Sequence, residues 1–361
     1  MSNFLNVDKT KYSQWVMYAI ITIPVLFLLY FYCNKGVIVT YLATQDDIAT
    51  ATNLYERHRY VGQNGAFVTV YAPLFACFLS LCKLLFGDIF LGFEVLSLFI
   101  LWFSNYTFYK IFEKVSSFRV RLCLVLIGVF YVQHIHVHVF VLSESLFLLF
   151  FFAFVYLKFI VDDTFKHRVI FLNILMILLF FTRYASLILI LGFGLMDLVV
   201  RRMTIRDLLK NYLLPFCCIS IWMLICYLII GNVTGDEFAP YKGSDWEILV
   251  RIFGFLKMFI LPFGLALIFC LNIFSSKKPI FAALVIFYLI FIFYFTKTSR
   301  LELDERILVP IYIFIVLMIK EIFESISQRW VVLGTHIFLY SSVVFTLYRF
   351  IKNYLFWLSE Y

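Results

Sequence analysis

The chain of 361 residues is 64% hydrophobic and only 14% charged. Soluble domains average about 45–50% apolar and about 25% charged residues, so this composition excludes a soluble globular protein. The formal net charge of +8 is typical of basic cytoplasmic loops in a membrane protein, and we expect no nucleic-acid partner. We predict an all-α, polytopic transmembrane helical bundle that forms a single domain over residues 1–361.

Apolar runs close to the length of about 20 residues that crosses a bilayer recur along the whole chain. They lie near residues 15–33, 66–86, 89–109, 120–133, 138–160, 168–182, 184–200, 211–231, 251–273, 279–295, 307–320 and 330–350. They predict about 11–12 spans, because one run between residues 66 and 137 does not fit a simple alternation of sides. The polar residues 34–65 predict a long first extracytoplasmic loop.

Lysine and arginine residues set the predicted orientation, because basic loops stay in the cytoplasm. Lys9 and Lys11 precede the first run and place the N terminus inside. Later basic loops follow the same rule, at residues 166–168, 201–210, 277–278 and 320–329. The first loop, Arg183 and the loop 296–306 therefore fall on the outer side.

Two adjacent carboxylates, Asp46 and Asp47, lie in the first outer loop. One interpretation makes them the N-cap and acidic first turn of a helix that continues through residues 48–54. The other makes them catalytic, because an attacking acceptor hydroxyl must lose its proton to a nearby base. Both interpretations stay open at this point.

Ionisable residues inside or beside membrane spans are costly, so they are functional candidates by default. The outer face collects such candidates from several segments. They are Tyr55 and Arg57; His134, His136 and His138; Glu144; Arg183; and Lys297, Arg300 and Arg306. Cations at headgroup depth suit a phosphate, whereas carboxylates suit a general base.

Each of these candidates also has a structural interpretation. His134, His136 and His138 would align on one side of a strand but splay around a helix, so they form either a metal site or an interfacial polar rim. Glu144, at the start of an apolar run, is either a functional carboxylate or a helix cap. Arg183, between two short apolar runs, needs an anionic partner or a lipid headgroup.

The stretch Asp304-Glu305-Arg306 is either a solvated turn or part of the site. No glycine-rich nucleotide loop, catalytic triad or zinc spacing is visible in the sequence. We therefore predict no certain cofactor, and a divalent cation stays a candidate.

Short motifs follow one another in a characteristic order. They are Asp46-Asp47, Val70-Tyr71-Ala72-Pro73-Leu74, Leu142-Ser143-Glu144-Ser145-Leu146-Phe147, Thr182-Arg183-Tyr184-Ala185-Ser186-Leu187 and Glu305-Arg306-Ile307-Leu308-Val309-Pro310. In this order the chain resembles the GT-C superfamily of integral-membrane glycosyltransferases. The resemblance is to the protein O-mannosyltransferase and lipid A aminoarabinose transferase type, similar to glycosyltransferase family 39. Asp47 stands where Glu is usual, and Ala72-Pro73 replaces a double proline.

The resemblance implies a GT-C fold and transfer of a sugar from a polyprenyl-phosphate-linked donor, with inversion at the anomeric carbon. Asp46 matches the family's catalytic base, and Asp47 is its neighbour. Arg183 and Arg306 would bind the donor phosphate, with Lys297 and Arg300 behind them, because guanidinium groups bind phosphate oxygens in pairs. The implied setting is a bacterial inner membrane with the active site facing outside, and the acceptor stays unidentified.

Two other functions are compatible with the same residues. A transporter or flippase of a lipid-linked or anionic substrate would use the outer cations, but should show pseudo-symmetric halves, which the sequence does not display. A polysaccharide polymerase or ligase would share the lipid-linked donor.

Overall fold

A computed structural model describes most of the chain. The described residues are 2–39, 42–68, 71–115, 117–161, 165–231, 244–256, 280–297, 309–325 and 329–361. Within them the chain is helical, apart from connections and an isolated antiparallel bridge between Val61 and Phe67. The predicted all-α fold class is confirmed. Two predicted phosphate ligands, Arg300 and Arg306, lie outside the described residues.

The helices follow the predicted apolar runs. In chain order they are α1 Ser2–Lys35, α2 Leu42–Arg57, α3 Pro73–Phe86, α4 Ile89–Phe112, α5 Phe118–Val129, α6 Val132–Val139, α7 Glu144–Phe159, α8 Arg168–Thr182, α9 Ser186–Val199, α10 Ile205–Ile230, α11 Asp245–Leu256, α12 Ile280–Lys297, α13 Val309–Ser325 and α14 Arg329–Glu360. Most of the run predicted near 251–273 falls outside the described residues.

Four helical segments in the described part of the chain are long and apolar enough to cross a bilayer. They are Tyr12–Lys35, Ile89–Phe112, Phe118–Val139 and Ile205–Ile230. Shorter apolar helices accompany them, at Pro73–Phe86, Arg168–Thr182, Ser186–Val199 and Ile280–Tyr294. The chain is thus an integral membrane protein, as its composition predicts.

The run predicted at 120–133 is longer in the structure. α5 and α6 follow one another almost without interruption and together form the candidate span Phe118–Val139. His134, His136 and His138 are part of this segment, so the outer connection predicted to hold them is shifted to residues 140–143.

The predicted first outer loop contains the amphipathic helix α2, which packs on α3. Four residues of α2 precede Asp46, so the helix-cap interpretation of the Asp pair is wrong. Ala51 is fully buried against Phe75 and Leu79 of α3. The Thr44 hydroxyl donates to the Val141 carbonyl oxygen at 3.2 Å. These contacts fix both the rotation of α2 and its place over the α6–α7 connection.

A glycine allows two of the membrane helices to lie close together. A Cβ atom added to Gly92 of α4 would come within 2.6 Å of the Cys82 Cβ atom of α3. Small residues of this kind let helix backbones approach in a bilayer, where no hydrophobic force drives helices together. The close approach holds α3 and α4 as one unit beneath α2.

A buried ionic network joins α7, α9 and α10 at the end of α7 opposite Glu144. Lys158 Nζ lies 2.7 Å from Asp197 Oδ2, and the Tyr212 hydroxyl donates to the same oxygen at 2.5 Å. Arg201 adds a longer contact to Asp197 Oδ1 at 3.6 Å. Buried charges are tolerated when they are paired and hydrogen-bonded in this way. The network anchors the helices at the predicted cytoplasmic side.

Candidate active site

Two predicted site residues are in direct contact at the other end of α7. Glu144 opens α7, and Arg183 occupies the corner between α8 and α9. Arg183 Nη1 forms an ion pair with Glu144 Oε1. Glu144 is 3% exposed, whereas the Arg183 side chain is 22% exposed. The buried carboxylate therefore holds a cation that still reaches the surface of the site.

Glu144 is the first residue of α7 and not its cap, so the helix-cap interpretation misses by one position. The N-cap position belongs to Ser143, whose hydroxyl donates to Glu144 Oε2 at 3.3 Å. A carboxylate in the first turn is favoured by the helix dipole. Glu144 thus combines a helix-terminal role with the ion pair to Arg183.

Asp47 of α2 lies within electrostatic range of this ion pair. It is buried, and burial raises the pKa of the Asp47 carboxyl well above its usual range. The negative charges of Glu144 and Asp46 raise this pKa further, while Arg183 opposes them. Carboxylates that share a site cannot all ionise easily. The cluster of Asp46, Asp47, Glu144 and Arg183 is therefore poised to hold a proton or to accept a further positive charge.

Asp46 and Asp47 differ in their surroundings although they are neighbours. Successive helical residues are rotated by about 100°, so the two carboxylates leave α2 in different directions. Asp47 is buried and Asp46 is half-exposed. Asp46 is the more accessible of the two.

The connection between α6 and α7, which leads into Glu144, contains a residue with a strained backbone conformation. Val141 has a φ of 48° and is fully buried. A positive φ is unfavourable for a β-branched residue and persists only where the surroundings enforce it. The enforcing contacts are the bond from Thr44 to the Val141 carbonyl and the Ser145 hydroxyl, which donates to the Leu142 carbonyl at 2.8 Å.

The other predicted residues of the outer side have different contacts. Lys297 forms an exposed ion pair with Asp245 at 2.9 Å. Tyr55 lies under the Lys83 ammonium, which is 5.2 Å from the ring centroid. Arg57 is exposed at the end of α2. None of these contacts brings the three predicted residues to the Glu144–Arg183 pair.

The three histidines are splayed around α6, as their helical spacing requires. His134 is buried and its Nε2 lies 2.9 Å from Asn105 Oδ1. His138 is fully buried, and the His136 ring packs on Phe140 at 4.3 Å between centroids. His134 and His138 are therefore core residues rather than part of an interfacial rim, while His136 is half-buried. Among the described residues, no group of three or more His, Cys, Asp or Glu side chains is placed to bind a metal ion.

Aromatic residues adjoin the Arg183 corner, and the sequence did not single out Trp222 among them. The Tyr184 hydroxyl accepts a hydrogen bond from Trp222 Nε1 at 2.9 Å and donates to the Tyr71 carbonyl oxygen at 3.2 Å. Trp222 lies within the apolar run of α10, where no sequence signal separates it from a lipid-facing residue.

Comparison with known proteins gives a match at the level of structure. No protein-family model matches the chain, and no curated protein matches its sequence. The structure is similar to the crystal structure of ArnT from Cupriavidus metallidurans bound to undecaprenyl phosphate, with a TM-score of 0.62 and 10% identity over 97% of this chain and 77% of that one. For the apo state of ArnT the TM-score is 0.59, with 12% identity over 98% and 77%. The chain therefore shares its fold with these two ArnT structures.

The raised pKa of Asp47 predicts a pH-dependent stability. The folded protein holds this proton more tightly than the unfolded chain, so ionising Asp47 costs folding free energy as the pH rises above about 4, the usual carboxyl range. Wild-type protein should lose thermal stability relative to Asp47→Asn as the pH rises, and the difference should vanish in acid. Melting temperatures in detergent across this range test it.

The same measurement in a Glu144→Gln background serves as the control. Removing the Glu144 charge removes one cause of the raised pKa, so the pH dependence should become smaller. If the melting temperatures of wild type and Asp47→Asn differ by the same amount at every pH, the raised pKa of Asp47 is contradicted.

Proposed function

We propose that the chain is a GT-C-type membrane glycosyltransferase that moves a sugar from a polyprenyl-phosphate-linked donor to an acceptor on the extracytoplasmic face. The observation that carries the proposal is the convergence of Asp46, Asp47, Glu144 and Arg183 at one end of the bundle. The fold is shared with ArnT, one structure of which is bound to undecaprenyl phosphate. The proposed location is a bacterial inner membrane, with the site facing the cell envelope.

Asp46 is the proposed general base. Its half-exposed carboxylate can accept the proton of an acceptor hydroxyl as that oxygen attacks the anomeric carbon. The attack comes from the side opposite the phosphate. The bond between the anomeric carbon and the phosphate oxygen breaks as the new bond forms, so the configuration at that carbon inverts. The polyprenyl phosphate leaves with the bonding electrons. Asp47 is the buried neighbour of Asp46 on α2 and lies within electrostatic range of Glu144 and Arg183.

Arg183 is the proposed phosphate ligand. A guanidinium group carries five N–H donors in a planar fork, and the Glu144 carboxylate fixes the orientation of this fork through Nη1. A cation held in a site that excludes water stabilises the charge that develops on the leaving phosphate. Lys297, Arg300 and Arg306 stay predicted contributors to the same phosphate.

Asp46→Asn tests the proposed base. The isosteric amide cannot take a proton, so transfer should fall about 100- to 10,000-fold, the usual contribution of a general base. Mass spectrometry of envelope glycans and lipid-linked sugars should show loss of the product and accumulation of the donor. Asp207→Asn, at an exposed carboxylate that caps α10 with Thr204, is the matched control and should keep activity.

Full activity of Asp46→Asn at equal membrane levels would remove Asp46 from the mechanism. Loss of activity in Asp47→Asn alone would move the base to the buried neighbour.

Arg183→Gln and the double variant Glu144→Gln/Arg183→Gln separate binding from folding. The single variant removes the cation of the ion pair that the buried Glu144 makes with Arg183, which should cost about 3–5 kcal/mol of stability. The double variant should recover part of this loss, because it removes the charges of both members of the pair. Both should bind undecaprenyl phosphate more weakly than wild type, as measured by titration in detergent. Wild-type affinity in the folded double variant would contradict the assignment of Arg183.

A further inference from the structure

A short hairpin follows α2 and is fastened to it. The Asn53 side-chain amide of α2 donates to the carbonyl oxygens of Val61 and Gly62 at 3.0 and 3.1 Å. The Gly62 amide donates to the Ala66 carbonyl at 2.9 Å, and Val61 is bridged to Phe67. Since Asn53 lies on the same helix as the Asp pair, the hairpin has a fixed position relative to both carboxylates.

Rings from the hairpin continue to the Arg183 corner. The Tyr60 and Phe67 centroids are 5.4 Å apart, and Phe67 lies 6.3 Å from Trp222. Trp222 in turn donates to the Tyr184 hydroxyl. The four rings therefore form an aromatic wall that runs from the end of α2 to the residue beside the proposed phosphate ligand.

The Tyr60 hydroxyl is the unsatisfied polar group of this wall. Its oxygen is buried, and within the described parts of the chain no group hydrogen-bonds to it. Burial raises the pKa of Tyr60, and the charge of Asp47 and the hydroxyl of Tyr184 raise it further. The hydroxyl is thus within electrostatic range of the carboxylate cluster. A buried hydroxyl without a partner is costly, so its retention calls for an explanation.

We infer that the Tyr60 hydroxyl hydrogen-bonds to the sugar of the donor, and that the rings of Phe67 and Trp222 pack against the sugar's apolar face. This inference rests on the proposed function. A sugar ring has C–H groups on its faces and hydroxyl groups at its edge, which matches apolar rings beside a polar oxygen. The sugar is one bond from the phosphate, so it must lie beside the Arg183 corner, where this wall ends.

Tyr60→Phe removes the hydroxyl and keeps the ring that packs on Phe67. The variant should bind a sugar-bearing undecaprenyl phosphate about 3- to 10-fold more weakly than wild type, the range expected for one hydrogen bond. Its affinity for bare undecaprenyl phosphate should not change. The probes are undecaprenyl phosphate and a panel of undecaprenyl-phosphate hexoses and aminopentoses, titrated against the full chain in detergent.

The matched control is Tyr227→Phe, which removes a hydroxyl from an exposed tyrosine of α10 and should behave as wild type with every probe. Without lipid, Tyr60→Phe should melt at or above the wild-type temperature, because it removes an unsatisfied buried group.

Three results would overturn the inference. The first is that Tyr60→Phe binds the sugar-bearing lipid as tightly as wild type does. The second is that its affinity falls by the same factor for the bare and for the sugar-bearing lipid. The third is that it melts at a lower temperature than wild type when no lipid is present. If wild-type protein binds none of the sugar-bearing lipids more tightly than the bare one, the proposed function itself is contradicted, and the inference falls with it.

Discussion

The ion pair between Glu144 and Arg183, with the buried Asp47 within electrostatic range, is the constraint on which this end of the molecule depends. The pair joins the start of α7 to the corner between α8 and α9. Asp47 adds a third element, α2. Burial raises the pKa of its carboxyl group, so ionising Asp47 in the folded protein costs free energy. Neighbouring carboxylates and burial both oppose the ionisation of such a carboxyl. Strongly perturbed titratable groups cluster at functional sites.

The two ends of α7 show the contrast between a structural and a functional ionic cluster. At the Lys158 end of α7, Lys158 is hydrogen-bonded to both Asp197 and Tyr212. At the Glu144 end, the described carboxylates of Asp46, Asp47 and Glu144 lie near Arg183, and the charges of Asp46 and Glu144 oppose the ionisation of Asp47. The first arrangement holds three helices together. The second leaves a site that a proton or a substrate can complete.

Composition and apolar periodicity were sufficient for the all-α membrane class and for the positions of most helices. The orientation rule placed Asp46, Asp47, Glu144 and Arg183 on one face, and the structure brings these elements together. The spans were less predictable at α5 and α6, because the imidazoles of His134 and His138 interrupt the apolar pattern although both residues are buried. Their burial depends on neighbours such as Asn105, which a local pattern does not contain.

The division between Asp46 and Asp47 was equally out of reach of the sequence. It depends on the rotation of α2, which Thr44 and Ala51 set through contacts with distant segments. Tyr60 and Trp222 could not be singled out among 23 tyrosines and 6 tryptophans. Their significance comes from an unsatisfied hydroxyl and from ring contacts, both of which are tertiary properties.

The most direct test of the account is an experimental structure of the full chain with undecaprenyl phosphate bound, determined by cryo-electron microscopy. We expect phosphate oxygens within hydrogen-bond distance, about 2.7–3.2 Å, of the Arg183 guanidinium, with the Asp46 carboxylate facing the same space. A phosphate bound away from Arg183, with the Glu144–Arg183 pair closed off from the lipid, would contradict it.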